Sequence, residues 1–212
     1  MAREADGRHR AAGMAAGIAR AAAAAGGEVQ LVGKVGEDPP GDAALLDLAS
    51  ASVGHVAILR DPSRSTPVAA AADGEEAAFD EPDTNVTSGA QERADRGTSG
   101  LSLDAADIEL ALRYLPDYRV LVVADALAEA SQRVAVAAAG WNGAALIVVV
   151  AAGADQSTSA DGATVLEAPS DDPDDAFAAV VGAYAAALDR GEEPAEAFAT
   201  ASSSEGVSEV AD

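Results

Sequence analysis

The sequence predicts an α/β domain built on a mainly parallel sheet, and three stretches carry that expectation. A β-branched run at 119–123, a helix at 127–139 and a strongly apolar run at 144–150 read as strand, helix and strand. At this spacing the unit is a parallel βαβ with a right-handed crossover, and both strands read as buried on two faces. Earlier, the apolar run Val29, Leu31 and Val32 is entered from Gly26-Gly27 and left through a glycine-rich turn that opens a helix; it reads as a buried strand. Later, a short strand at 163–167, entered by Asp161-Gly162, leads into a long apolar helix that stops at Asp189-Arg190-Gly191. In open sheets of this class, ligand sites gather at the carboxyl ends of the strands.

The remaining elements follow in order. Residues 1–10 are polar and are expected to form a flexible N-terminus. Residues 11–25 are a helix by propensity. Gly33 and Gly36 free the backbone at the end of the 29–32 strand, and Asp38 is placed to cap a helix beginning near Pro39 or Pro40. That helix continues through Leu45, Leu46 and Leu48, and an extended segment at 53–59 holds His55, read as a packed or surface residue. Val68–Ala72, the turn Asp73-Gly74 and Glu75–Phe79 form a plausible hairpin, and 80–102 is an aperiodic loop. Asp104 caps a helix reaching about Tyr114, Trp141 reads as a packing residue, and a last helix spans 192–201 before a polar tail at 202–212.

Composition narrows the function classes. At 212 residues the chain is one domain, folded over 11–201, with enough length for a sizeable core. Hydrophobic residues make up 49% but aromatic residues only 3%, so alanine and valine must fill that core. Alanine buries little surface, so modest intrinsic stability is expected. The net charge is −23, with Lys34 the one lysine among arginine cations, a pattern similar to that of salt-in halophile proteins. Self-repulsion at this charge loosens a fold in dilute buffer, and molar salt screens it. No basic stripe exists to meet nucleic-acid phosphates. The start is charged and Arg20 interrupts the apolar stretch at 11–25, so no membrane span or signal peptide is read and the cytoplasm is expected. There are no cysteines, hence no disulfides and no thiolate metal sites.

Several phrases together carry a resemblance. Gly33-x-x-Gly36-x-Asp38-x-x-Gly41 follows Gly26-Gly27-x-Val29; Thr66-Pro67-Val68-Ala69 and Ala151-Ala152-Gly153 come later, and Asp175-Ala176-Phe177 opens the long helix. From about Ala11 to Ala201 the chain resembles the ribokinase/PfkB family of carbohydrate kinases. The resemblance implies a three-layer ribokinase-like domain with a small β-hairpin lid at about 67–79. It implies Mg-ATP as cofactor and a small-molecule sugar or nucleoside as the phosphate acceptor. It places Asp175 as the general base, Gly13, Gly33, Gly36, Asp38 and Gly41 on the substrate side, and Asp172, Asp174 and Gly153 on the nucleotide side. It also implies that the lid edge is a surface for a possible homodimer.

The departures are equally specific. Gly17 stands where the family has an asparagine, and a substrate-binding strand of the family finds no counterpart before residue 11. Asp172 and Asp174 stand at the glycine positions of the phosphate-holding turn, with Pro173 between them. A carboxylate at a helix N-terminus caps the first turn and complements the helix dipole. The acidic run 171–175 therefore reads as a structural cap, as a divalent-cation site, or as a phosphate cradle of the wrong charge sign; no metal site is assigned. Together these features imply a degenerate homologue with impaired or lost phosphotransfer. The alternative is an active small sugar kinase using Asp175 as base.

Overall fold

The computed structural model describes residues 2–5, 8–69, 101–153, 162–170, 172 and 175–204. Strands β6 (Val120–Val123), β7 (Ala145–Val150) and β8 (Thr164–Glu167) lie side by side in that order, all parallel. Helix α4 (Glu129–Asn142) makes the crossover from β6 to β7 and ends at Gly143, whose φ of 64° supplies the left-handed turn. The central strand β7 explains the layering. Successive side chains of a strand point to opposite faces. Leu146 and Val148 therefore pack with Ala135 and Ala139 of α4 on one face. Ile147 and Val149 pack on the other face against α5 (Ala176–Asp189) and α6 (Pro194–Ser204), through Val181, Tyr184, Ala197 and Ala201. Ile147 and Val181 are both 0% exposed, and each such burial stabilises by about 1.5–3 kcal/mol. The expectation of parallel strands covered on both faces holds.

The N-terminal half is built around α1 (Met14–Ala24) and α2 (Pro39–Ser50). Strand β3 (Gly33–Gly36) pairs in parallel with β4 (Ile58–Asp61). The expected strand at 29–32 is corrected: the ladder begins only at Gly33, and Gln30 makes a single bridge to Gly54. The reason lies in the partner segment, which turns between Gly54 and β4, the Ile58 N–H donating to the His55 carbonyl at 3.1 Å, while Val29 and Leu31 lie against the α1–α2 core of Ala16, Ala19, Ala44, Leu48 and Val53. Within 1–10, read from sequence as a flexible N-terminus, the described residues carry strands. Strands β1 (Ala2–Ala5) and β2 (Arg8–Ala11) form an antiparallel pair, and β5 (Val68–Ala69) adds to β1 in parallel. Ladder bonds and the anchoring of Ala11, described below, hold a polar segment that lacks an apolar pattern. Among the described residues the strands are thus divided among three small sheets. Beyond Ala69 the lid hairpin and the 80–102 loop up to Gly100 lie outside the described residues, as does the tail beyond Ser204. Helix α3 (Ala105–Arg113) carries the expected Asp104 cap, extended to a reciprocal capping box with Asp107.

Trp141 is another correction. It is 92% exposed, because it sits off the Ala135–Ala139 stripe with which α4 meets the sheet. No helix among the described residues is long and apolar enough to cross a membrane.

The contact that positions everything functional is α1 against α5. A Cβ added at Gly17 would lie 3.0 Å from the Ala178 Cβ, and one at Gly182 would lie 2.6 Å from the Ala21 Cβ and 2.7 Å from the Ile18 carbonyl oxygen. The contacts advance in step along both helices, so the two run parallel at backbone contact distance. Their N-termini, at Gly13 and Asp175, therefore open at the same place.

Candidate functional site

Asp175 is the N-cap residue of α5, in the left-handed region at φ 55°, and its side chain makes no capping hydrogen bond. Aspartate is among the few residues that enter this region at tolerable cost. The capping is done instead by Asp172. Its Oδ1 accepts from the Phe177 N–H at 3.0 Å and its Oδ2 from the Ala178 N–H at 3.3 Å. The Asp175 N–H in turn donates to the Asp172 carbonyl at 3.2 Å. Asp175 is left exposed, with its carboxylate in front of Gly17, where an added Cβ would lie 3.8 Å from Oδ1. Asp174 and Asp171 lie outside the described residues. Among the described residues no group of acidic or histidine side chains is arranged to hold a metal ion.

Beside Asp175 is a small polar cleft of about 40 Å³, walled by Arg10, Ala11, Ala12, Gly13, Arg20 and Asp175. Gly13 turns the chain into α1 at φ 102°, a conformation that favours glycine, and it has no side chain to cap the helix. Arg20 secures the floor. Its Nη2 donates to the Ala11 carbonyl and, at 2.6 Å, to Asp47 Oδ2, which also accepts the Ala11 N–H at 3.1 Å. The Arg20 Nε is buried with no acceptor among the described residues.

The second glycine-rich constellation closes on itself. Asp38 caps α2, with Oδ1 accepting from the Gly41 N–H at 2.9 Å and from the Thr66 hydroxyl at 2.7 Å. Its Oδ2 accepts the Thr66 N–H at 2.7 Å, and the Thr66 Oγ1 accepts the Gly36 N–H at 2.9 Å. Burial pushes the Asp38 carboxyl up, but the Thr66 and Gly41 hydrogen bonds outweigh it and hold the group below the usual carboxylate range. The glycines here are steric requirements. A Cβ at Gly36 would meet the Arg64 carbonyl at 2.5 Å, and one at Gly41 would meet the Gly36 carbonyl at 2.5 Å. Gly33 has no such need, its nearest neighbour being Ile58 at 4.0 Å. Next to it, Lys34 bridges to Asp107 at 2.9 Å, and that hydrogen bond raises the ammonium above its ordinary value against the opposing effect of burial. On the far side, Gly153 donates its N–H to Glu167 Oε1 at 2.8 Å.

Of the sequence-derived site residues, the structure brings Gly13 and Asp175 together at one cleft and sets Asp172 on the N–H groups behind it. Gly33, Gly36, Asp38, Gly41 and Gly153 do not line that cleft. Sequence reasoning assigned no site role to Arg10, Arg20, Asp47 or Thr66. Arg20 had a signal: it is the single charge in the apolar stretch 11–25, and a lone charge there needs a partner such as Asp47.

A family model described as pfkB family carbohydrate kinase matches residues 1–106. No curated protein matches the chain. Among solved structures, the fold is similar to that of Sa239 at a TM-score of 0.62 and 15% identity, over 96% of this chain and 84% of that one. A fructokinase with bound ATP from Xylella fastidiosa is similar at a TM-score of 0.42 and 17% identity, over 92% of this chain and 60% of the fructokinase.

Proposed function

Because the chain belongs to the pfkB family of carbohydrate kinases, we propose that it is a sugar- or nucleoside-directed member whose phosphotransfer is impaired or lost. One observation carries this reading. The N–H groups of Phe177 and Ala178, at the start of α5, are held by the chain's own Asp172 carboxylate. A helix N-terminus binds an anion because its N–H groups lack intrahelical partners and the dipole favours negative charge. With a carboxylate already there, both attractions are met internally and a second anion is repelled. The residues present do not fit a triphosphate, so no transfer step through Mg-ATP is derived.

What persists is the acceptor side. Asp175 is exposed at the mouth of a polar cleft, suited to hold a ligand hydroxyl and to take its proton where a phosphoryl donor is supplied. That exposure supports the second reading, an active small kinase with Asp175 as general base and Mg-ATP as donor. Calorimetry with Mg-ATP on the full chain in molar KCl separates the two. No measurable binding at millimolar nucleotide is expected. Micromolar binding by the unmodified chain, lost in Asp175→Asn, would establish the active kinase instead.

A further inference from the structure

We propose that the cavity between α3 and α4 is a second, non-catalytic binding site, and that it takes an uncharged planar heterocycle, a nucleobase or nucleoside, stacked on Trp141. The inference goes beyond the reading of Asp175 and does not depend on it.

Position comes first. Helix α4 leads from the carboxyl end of β6 back to the amino end of β7, so its last residues, Trp141 and Asn142, lie at the amino ends of these strands. Tyr118 precedes β6 at the same end, where the Ala145 N–H donates to the Arg119 carbonyl at 2.8 Å. Gly153 follows the carboxyl end of β7, and Asp172 and Asp175 follow that of β8. A ligand held between α3 and α4 therefore lies at the opposite end of the sheet from Asp175.

The walls select a flat ring. The cavity has a volume of about 450 Å³, within the range of small-molecule sites. The whole chain has one tryptophan, three tyrosines and three phenylalanines, and Trp141 and Tyr118 both line this cavity. Trp141 is 92% exposed, which leaves its ring free to stack. The Tyr118 hydroxyl is buried, so that residue offers ring surface and no polar contact. Leu112, Val134 and Ala138 extend the apolar lining. A solute hydroxylated on every side would leave hydroxyls unpaired against such walls.

Charge excludes ions. Glu109 and Arg113 are the charged lining residues, and they pair with each other at 2.9 Å, so the lining has no net charge. The molecule as a whole carries −23 and repels phosphate esters, while a cation would meet the Arg113 guanidinium in the wall. A planar guanidinium does stack on an uncharged ring. Asn142 supplies edge contacts. One N–H of its amide is fixed on the Ala138 carbonyl at 3.0 Å, and the amide still carries a second N–H and an oxygen with two lone pairs. An amide of this kind matches the edge of adenine.

The test uses the full chain in molar KCl with adenosine, cytidine, AMP and glucose, read by calorimetry and by the emission of the single tryptophan. The variants are Trp141→Ala, Trp141→Phe and Asp175→Asn, each checked for folding by circular dichroism. Adenosine is expected to bind and to shield Trp141 from iodide, with AMP weaker. Trp141→Ala should weaken adenosine roughly ten- to a hundredfold, the worth of one base stacked on an aromatic ring. Trp141→Phe should keep most of the affinity, and Asp175→Asn should leave it unchanged. Adenosine binding abolished by Asp175→Asn and untouched by Trp141→Ala would overturn the proposal and favour a nucleoside at Asp175 instead. Binding of neither nucleoside would overturn it and leave the Asp175 reading standing. Glucose bound as tightly as adenosine, or AMP bound more tightly, would overturn the ligand class.

Discussion

Replacing Asp172 separates two effects that the wild-type side chain combines. Its carboxylate sits 3.0 and 3.3 Å from the Phe177 and Ala178 nitrogens. A phosphate reaching those N–H groups would bring its charge to about 4 Å from the carboxylate. Repulsion there amounts to about 4 kcal/mol at an effective dielectric near 20, roughly a thousandfold in affinity. Molar salt, with a Debye length of about 3 Å, reduces it, so this is a ceiling. The same carboxylate caps α5, and its removal costs about 1 kcal/mol of stability, or about 2–4 °C in a domain of this size. Asp172→Asn keeps an acceptor and removes the charge; Asp172→Gly removes both. Asn is therefore expected to melt near wild type and to bind Mg-ATP more tightly than wild type, while Gly gains affinity and loses stability. Paired calorimetry and thermal melts read both effects. If the Asn variant binds nucleotide no better than wild type and the Gly variant melts no lower, the carboxylate is not holding those N–H groups and the reasoning fails.

With a net charge of −23, the thermal midpoint should rise steadily from dilute buffer to molar KCl; a midpoint independent of salt would contradict this. Gly182→Leu forces a Cβ to 2.6 Å from the Ala21 Cβ, and overpacking of this kind should cost about 1–3 kcal/mol, read as a lower midpoint in urea. Thr66→Val removes the hydroxyl that donates to Asp38 Oδ1 and accepts from the buried Gly36 N–H, and should cost about 1–3 kcal/mol. Because the folded-state Asp38 lies below its unfolded value of 3.8, its contribution is full above that value and is lost as the pH falls through the lowered one. Acid titration of wild type should therefore show unfolding that the Thr66→Val variant moves to higher pH. Trp141, the single tryptophan and 92% exposed, should emit as a solvated indole and be quenched freely by iodide; a blue-shifted, protected emission would show it covered.

Local chemistry made much of the fold readable. The β-branched and apolar runs at 119–123 and 144–150 became β6 and β7; β7 is buried on two faces because no polar residue interrupts 144–150, while Val120–Val122 of β6 are half-buried. Asp38 before two prolines and Asp104 before an apolar helix became caps, since a short acceptor side chain at that position meets free N–H groups with no help from distant residues. Where packing competed with pattern, pattern lost. Val29 and Leu31 met the α1–α2 core, but the partner segment turns at His55–Ile58, so the continuous ladder starts only at Gly33. Trp141 was left facing solvent because alanines at 135 and 139 already met the sheet.

The site divides along the same line. Sequence alone determined that aspartates stand at the start of the 176–189 helix, and that the chain is acidic and poor in lysine. It left open which carboxylate caps that helix and which stays exposed. The backbone decided this: Asp175 takes a left-handed turn that carries its side chain away from the N–H groups and leaves them to Asp172. Nor does any local pattern join Gly13 to Asp175. They meet because Gly17 and Gly182 allow α1 and α5 to touch backbone to backbone. A glycine's value at such a crossing depends on the surface of the other helix, which lies more than a hundred residues away along the chain.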